Sequence, residues 1–150
     1  MSYIRITKHF DFEAAHALYG YDGKCKNIHG HSYQLFVTVI GKPIQDTTAI
    51  KNGMVMDFGD LKTLVNREII KNFDHATVLN NLSPHKALAD TLTSHAHKIV
   101  LVDYQPTSEN MLIDFAERIK SHLPENVTLH SLKLYETANS YAEWFASDNN

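Results

Sequence analysis

The sequence predicts an α+β domain, an antiparallel sheet with its helices packed on one face. Two long β-patterned segments open the chain and two shorter ones close it. Between them, apolar residues recur at helical spacing. At 150 residues the chain fits a single domain over residues 1–150, and no repeat, low-complexity segment or linker interrupts it.

The first segment, Tyr3 to His16, reads as a strand in which Ile4, Ile6, Phe10, Phe12, Ala14 and His16 share one parity and so one face. Leu18 to Lys24, with Gly20 and Gly23, reads as an exposed loop. A second strand spans about His29 to Gly41, rich in Tyr33, Phe36, Val37, Val39 and Ile40. It is placed to pair with the first as a long antiparallel hairpin. Asp57 has the place of a helix N-cap with Asp60 as capping-box partner, followed by the stripe Leu61, Leu64, Val65, Glu68 and Ile69. Ser83-Pro84 opens a further helix through Ala96, and Ile99 to Val102 is a short β-like run. Thr107 caps a last helix whose buried side carries Leu112, Phe115, Ala116, Ile119 and Leu123. Val127 to Glu136 and Tyr141 to Phe145 read as closing strands.

Composition narrows the function classes. A net charge of -3 provides no basic field, which argues against nucleic acid as the main partner. No window approaches the roughly 18 apolar residues of a membrane span. The opening Met1-Ser2-Tyr3-Ile4-Arg5 lacks the layout of a secretory signal, so a cytoplasmic setting is expected. Cys25 is the single cysteine and has no partner for an intrachain disulfide.

The chemical signal is His29-Gly30-His31. Residues two apart on a strand point to one face, and Gly30 is read as keeping their approach uncrowded. His16 ends the preceding strand on its inward parity, and hairpin pairing brings it toward the other two. Three imidazoles suit Zn²⁺ and leave a fourth position open, as catalytic zinc sites do. The same spacing at His95 and His97 falls on a predicted helix, where the side chains diverge, so these read as surface residues. Cys25 stands four residues before His29, at the mouth of the site, where a nearby cation favours a thiolate. Asp74 and His75, being adjacent, are not expected to face each other, and each needs an outside partner. Glu136 shares the core-facing parity of Leu132 and Leu134, so it needs either a basic side chain or a ligand with two parallel N–H groups. Glu109 is a first-turn acid suited to the helix dipole.

Together these blocks resemble the 6-pyruvoyltetrahydropterin synthase and 6-carboxytetrahydropterin synthase superfamily. The resemblance rests on Phe12-Glu13-Ala14-Ala15-His16, Cys25-x-x-x-His29-Gly30-His31, Gly53 to Phe58, Phe73-Asp74-His75, Leu79-Asn80, Pro106 to Asn110 and Glu136-Thr137-x-x-Ser140, in order along the chain. It implies a T-fold, a four-stranded antiparallel sheet with two main helices on one face. It also implies assembly through the sheets into a homo-hexamer of two trimers, with active sites at subunit interfaces. His16, His29 and His31 would hold Zn²⁺, Cys25 would be the general base, and Asp74 with His75 would relay protons from a neighbouring subunit. Glu136 would anchor the pterin ring, with Glu109 and Thr107 lining the same pocket. The three-residue gap before His29 and the stretch Glu136 to Trp144 look like the 6-carboxy branch. That branch is a lyase turning 7,8-dihydroneopterin triphosphate into 6-carboxy-5,6,7,8-tetrahydropterin, acetaldehyde and triphosphate on the route to 7-deazaguanines such as queuosine. The other readings are a 6-pyruvoyl synthase, which eliminates triphosphate, and a non-catalytic pterin- or metal-binding oligomer. Residues Asn81 to Tyr104 depart from the shortest relatives and are expected to add a helix.

Overall fold

A computed structural model describes residues 1–150. Strands β1 (Ile4–His16) and β2 (His29–Gly41) form the expected hairpin, and their register runs from Ile4 opposite Gly41 to His16 opposite His29. β5 (Val127–Thr137) pairs antiparallel with β2, and β6 (Ser140–Phe145) with β5.

The sheet is wider than the four strands expected. β3 (Ala76–Asn80) joins β1 in parallel and β4 (Ile99–Val102) joins β3 in parallel, giving a mixed six-stranded order β4-β3-β1-β2-β5-β6. The four antiparallel strands are present, with a parallel pair added at the β1 edge. β3 escapes a periodicity reading because Val78 and Leu79, adjacent in sequence and facing opposite ways, are both fully buried.

Three helical bodies cover the sheet. The first is α1 (Phe58–Val65), continued by a π-helical turn at Asn66–Ile70 and the short α2 (Lys71–Phe73). Asp57 caps it by accepting from the Gly59 amide at 2.6 Å. Asp60 does not complete a capping box, because its carboxylate is drawn to Lys51. α4 (Ser108–Lys120) packs beside it, and Leu61, Leu64, Val65, Ile69, Phe73, Met111, Leu112, Phe115 and Ile119 meet Phe10, Phe12, Tyr33, Leu35 and Val37 of the sheet. Leu123, expected inside, is only half-buried at the edge of this core.

α3 (His85–Ser94) lies on the opposite face. Ala89 packs with Ala17 and Leu79, while Val78 belongs to the main core. The expectation of helices on one face therefore holds for α1–α2 and α4 and fails for α3, which bridges the parallel strands β3 and β4 as a crossover. It ends at Ser94 rather than Ala96. His97 donates to the Leu92 carbonyl at 3.1 Å and Ala96 takes a positive φ of 67°, closing the helix in a Schellman-type turn. His95 and His97 are exposed, as expected. No helix is long and apolar enough to cross a membrane.

Candidate metal centre

The hairpin register decides the centre. His16 sits opposite His29, and Ala14 opposite His31, so all three imidazoles leave the core face at the β1–β2 end. β5 adds Glu136, one residue beyond the Gln34/Tyr135 pair and on the parity of Leu132 and Leu134. One ligand atom from each of His16, His29, His31 and Glu136 lies within 4.8 Å of the other three.

The ring nitrogens are already sorted. His16 Nδ1 donates to the Pro106 carbonyl at 2.6 Å, and His29 Nδ1 to the Asn27 carbonyl at 2.7 Å. Each bond fixes the tautomer and turns the Nε2 lone pair inward. Those two Nε2 atoms then meet at 3.0 Å, where facing lone pairs repel unless a cation stands between them. His31 Nε2 is buried without a hydrogen bond of acceptable angle, although Glu136 Oε1 lies 3.1 Å away. The same oxygen comes within 3.3 Å of His16 Nε2. For tetrahedral Zn²⁺ with Zn–N near 2.0–2.1 Å, ligand atoms stand about 3.3 Å apart. The donor set therefore fits such an ion.

Electrostatics favours the ligating forms. Burial, reinforced by His16 and His29 and opposed by Glu136, holds the His31 pKa below its ordinary value. The His16 ring, with help from His31 and His29, holds the Glu136 carboxyl below the usual range against the opposing effect of burial. A neutral imidazole and a carboxylate are the states that bind a metal.

The other singled-out residues fall into three places. Cys25 is half-buried in a 3₁₀ turn (Lys24–Lys26) and stands outside the donor cluster, and its carbonyl accepts from the Leu18 amide at 3.0 Å. Asp74 and His75 stand one strand over, beside Glu13 of β1, and the His75 ring turns to the face that carries Glu13 and Ser32. Asp74 Oδ1 accepts from the Glu13 amide at 2.9 Å, and the His75 amide donates to the Glu13 carbonyl at 2.6 Å. Contrary to the sequence reading, the two side chains do face each other. His75 takes a left-handed φ of 61°, which swings its Nδ1 to 3.0 Å from Asp74 Oδ1. Lys98 Nζ secures the turn by donating to the carbonyls of Lys71 and Asp74 at 2.8 and 2.6 Å. Hydrogen bonding by the Glu13 amide, then by His75, keeps the Asp74 carboxyl low against desolvation, with the charges of His75 and Lys98 adding to the effect. His75 lines a cleft of about 340 Å³ with Glu13, Ala15, Gly30 and Ser32. Gly30 thus faces that cleft, not the imidazoles. Thr107 caps α4, its hydroxyl accepting from the Asn110 amide at 3.2 Å, and Glu109 is exposed on the first turn.

Sequence reasoning did not find the carbonyls of Pro106 and Asn27, nor that Glu136 joins the histidines. Its parity with Leu134, set against a strand adjoining β2, was the available signal for the second.

Known proteins are similar to this chain in sequence and in fold. A family model described as 6-pyruvoyl tetrahydropterin synthase matches residues 5–147. A 6-carboxy-5,6,7,8-tetrahydropterin synthase of Haemophilus influenzae is 34% identical over 141 residues, covering 93% of this chain and 97% of the relative. One from Rickettsia typhi is 35% identical over 143 residues, covering 93% and 99%. Among solved structures, an uncharacterized protein from Wolinella succinogenes superposes with a TM-score of 0.81 at 20% identity, covering 97% of this chain and 99% of the other. The 6-pyruvoyl tetrahydropterin synthase of Caenorhabditis elegans superposes at 0.68 with 24% identity, covering 97% of each chain. These two structures carry the fold.

Proposed function

The chain belongs to the 6-pyruvoyl tetrahydropterin synthase family, and from that premise we propose that it is a zinc-dependent carbon–carbon lyase, a 6-carboxy-5,6,7,8-tetrahydropterin synthase. The substrate would be 7,8-dihydroneopterin triphosphate, which with water gives 6-carboxytetrahydropterin, acetaldehyde and triphosphate. The observation that carries the reading is the convergence of three imidazoles, two of them oriented by backbone carbonyls, next to the loop that holds the single cysteine. The names of the curated relatives select the 6-carboxy product.

His16, His29 and His31 would hold Zn²⁺, which supplies Lewis acidity toward the hydroxyls of the substrate side chain and so acidifies the neighbouring C–H bonds. Cys25 acts as the base that takes a proton from that side chain. Glu136, a half-buried carboxylate beside His16 and His31, would leave the fourth metal position open by pairing instead with the two parallel N–H groups of the pterin edge. Thr107 serves the site through the α4 cap, which holds the Pro106 carbonyl where His16 needs it.

Asp74 and His75 form the proton relay, and they do so for a neighbouring copy. Within one chain the pair opens on the face of the sheet opposite the imidazoles, so only a second subunit can bring a His75 to the metal side. This supports a homo-oligomer with interfacial sites, for which the hexamer of two trimers implied by the family resemblance is our proposal.

The test is incubation of zinc-loaded protein with 7,8-dihydroneopterin triphosphate and identification of the products by mass spectrometry. Release of acetaldehyde with 6-carboxytetrahydropterin is expected. A 6-pyruvoyl product would overturn the branch, and unchanged substrate would overturn catalysis on this pterin.

A further inference from the structure

We propose that Gln105 is a positioning residue that holds the Cys25 loop in its working place. The proposal rests on the reading of Cys25 as the base and concerns how its loop is held. Residues 17–28 connect β1 to β2, and their internal hydrogen bonds are few and local. Between backbone groups they are Leu18 to Cys25 at 3.0 Å, Tyr21 to Leu18 at 3.4 Å, Lys26 to Gly23 at 3.3 Å and Asn27 to Lys24 at 3.1 Å, and the Asn27 side chain adds a bond to the Lys24 carbonyl at 3.0 Å. The hydrogen bonds that join this loop to anything beyond its flanking strands are both made by the Gln105 side chain. Gln105 Oε1 accepts from the Tyr19 amide at 3.2 Å, and Gln105 Nε2 donates to the Tyr19 carbonyl at 2.9 Å.

The primary amide thereby pairs with both backbone groups of one residue, as a neighbouring strand would. Tyr19 is next to Leu18, whose amide fixes the Cys25 carbonyl, so the clamp reaches the cysteine backbone in two steps.

The clamp stands on a rigid base. The Gln105 carbonyl accepts from the Thr107 amide at 2.8 Å and from Asn110 Nδ2 at 3.0 Å, which ties it to the first turn of α4. The next residue, Pro106, supplies the carbonyl that orients His16. Consecutive residues thus set the placement of a metal ligand and of the thiol-bearing loop.

The α3 helix backs the loop from the other side. The His85 ring, in the first turn of α3, meets Tyr19 edge to face at 5.3 Å, and Ala89 packs on Ala17. Residues 81–104 therefore brace the loop that Gln105 clamps.

The experiment uses the zinc-loaded full chain with Gln105→Met, which keeps the side-chain length and removes both bonds, and with Gln105→Glu, which keeps the acceptor and removes the donor. Amide hydrogen exchange should quicken at least tenfold in the peptide covering residues 18–26 and stay unchanged in β1, β2 and α4. Bound zinc should stay at the wild-type ratio. Alkylation of Cys25, the sole cysteine and so the sole reporter, should change in rate, and kcat should fall about 10- to 100-fold with KM nearly constant, the cost of slight misplacement of a reacting group.

Unchanged exchange in residues 18–26 in both variants would overturn the clamp. Quickened exchange with wild-type kcat would overturn its positioning role. Failure of the underlying reading has a separate signature, full turnover by Cys25→Ala, and would leave the exchange result standing.

Discussion

Replacing His75 with glycine and, separately, with alanine divides backbone strain from side-chain chemistry at the turn between α2 and β3. His75 adopts a φ of 61°, a region that costs an L-residue roughly 1–2 kcal/mol and glycine almost nothing. Its side chain is 76% exposed, so truncation removes little burial. The lost contact with Asp74 is a solvent-exposed polar contact contributing no more than about 1 kcal/mol. Alanine keeps the strain and loses the contact, and should destabilise by about 0–1 kcal/mol. Glycine relieves the strain but loosens the unfolded chain by about 0.4–1 kcal/mol. His75→Gly should therefore exceed His75→Ala by about 1 kcal/mol. In a chain of this size that difference is about 2–4 °C in Tm. Urea titrations at one protein concentration measure the gap, and product assays on the same samples measure turnover. Both variants should lose most activity, so the glycine form would be the sturdier and yet inactive. Equal stabilities would refute the strain argument, and full turnover would refute the relay.

Two further outcomes follow from the same turn and from the α4 cap. The folded Asp74 carboxyl is depressed, so its stabilisation is fully present above the unfolded value near pH 3.9 and disappears as pH falls through the lower folded value. Asp74→Asn should flatten that acid limb in pH-dependent denaturation by no more than about 1 kcal/mol, since the group is 37% exposed, and an unaltered limb would contradict the assignment. Thr107→Ala should cost about 1 kcal/mol in thermal unfolding through the lost cap and should weaken zinc retention by loosening the Pro106 carbonyl that orients His16, and unchanged zinc affinity would make Thr107 a cap alone.

The β1–β2 hairpin was legible because Phe10, Phe12, Ala14 and His16 keep one parity, and Tyr33, Leu35, Val37 and Val39 another, so a single register buries both sets. The same register delivered the three imidazoles. β3 was not legible, because Ala76–Asn80 is short, covered on both faces and parallel to both neighbours, leaving neither alternation nor a hairpin turn to read. α3 was found but misplaced, since one buried residue, Ala89, does not tell which face of a sheet a helix covers. The tautomer-fixing partners of His16 and His29 are backbone carbonyls, which any residue type would present. Gln105 was invisible for a related reason, because its partner is the backbone of Tyr19.

The two faces of the sheet bear on assembly. The imidazoles and Glu136 leave β1, β2 and β5 toward the helices, while Glu13, Ser32 and His75 leave the same end of the sheet on the other side. No side-chain rotation carries His75 through a hydrogen-bonded sheet. Asp74, held by the Glu13 amide, and Lys98, bonded to the turn carbonyls, also prevent the turn from swinging round the edge. A strained, exposed histidine fixed this firmly is costly to a chain that gains nothing from it, and such strain collects where function requires it. If the relay works at the metal, it must work at the metal of another copy. Assembly then becomes part of the chemistry, and diluting the protein into monomers should abolish turnover while each chain still binds zinc.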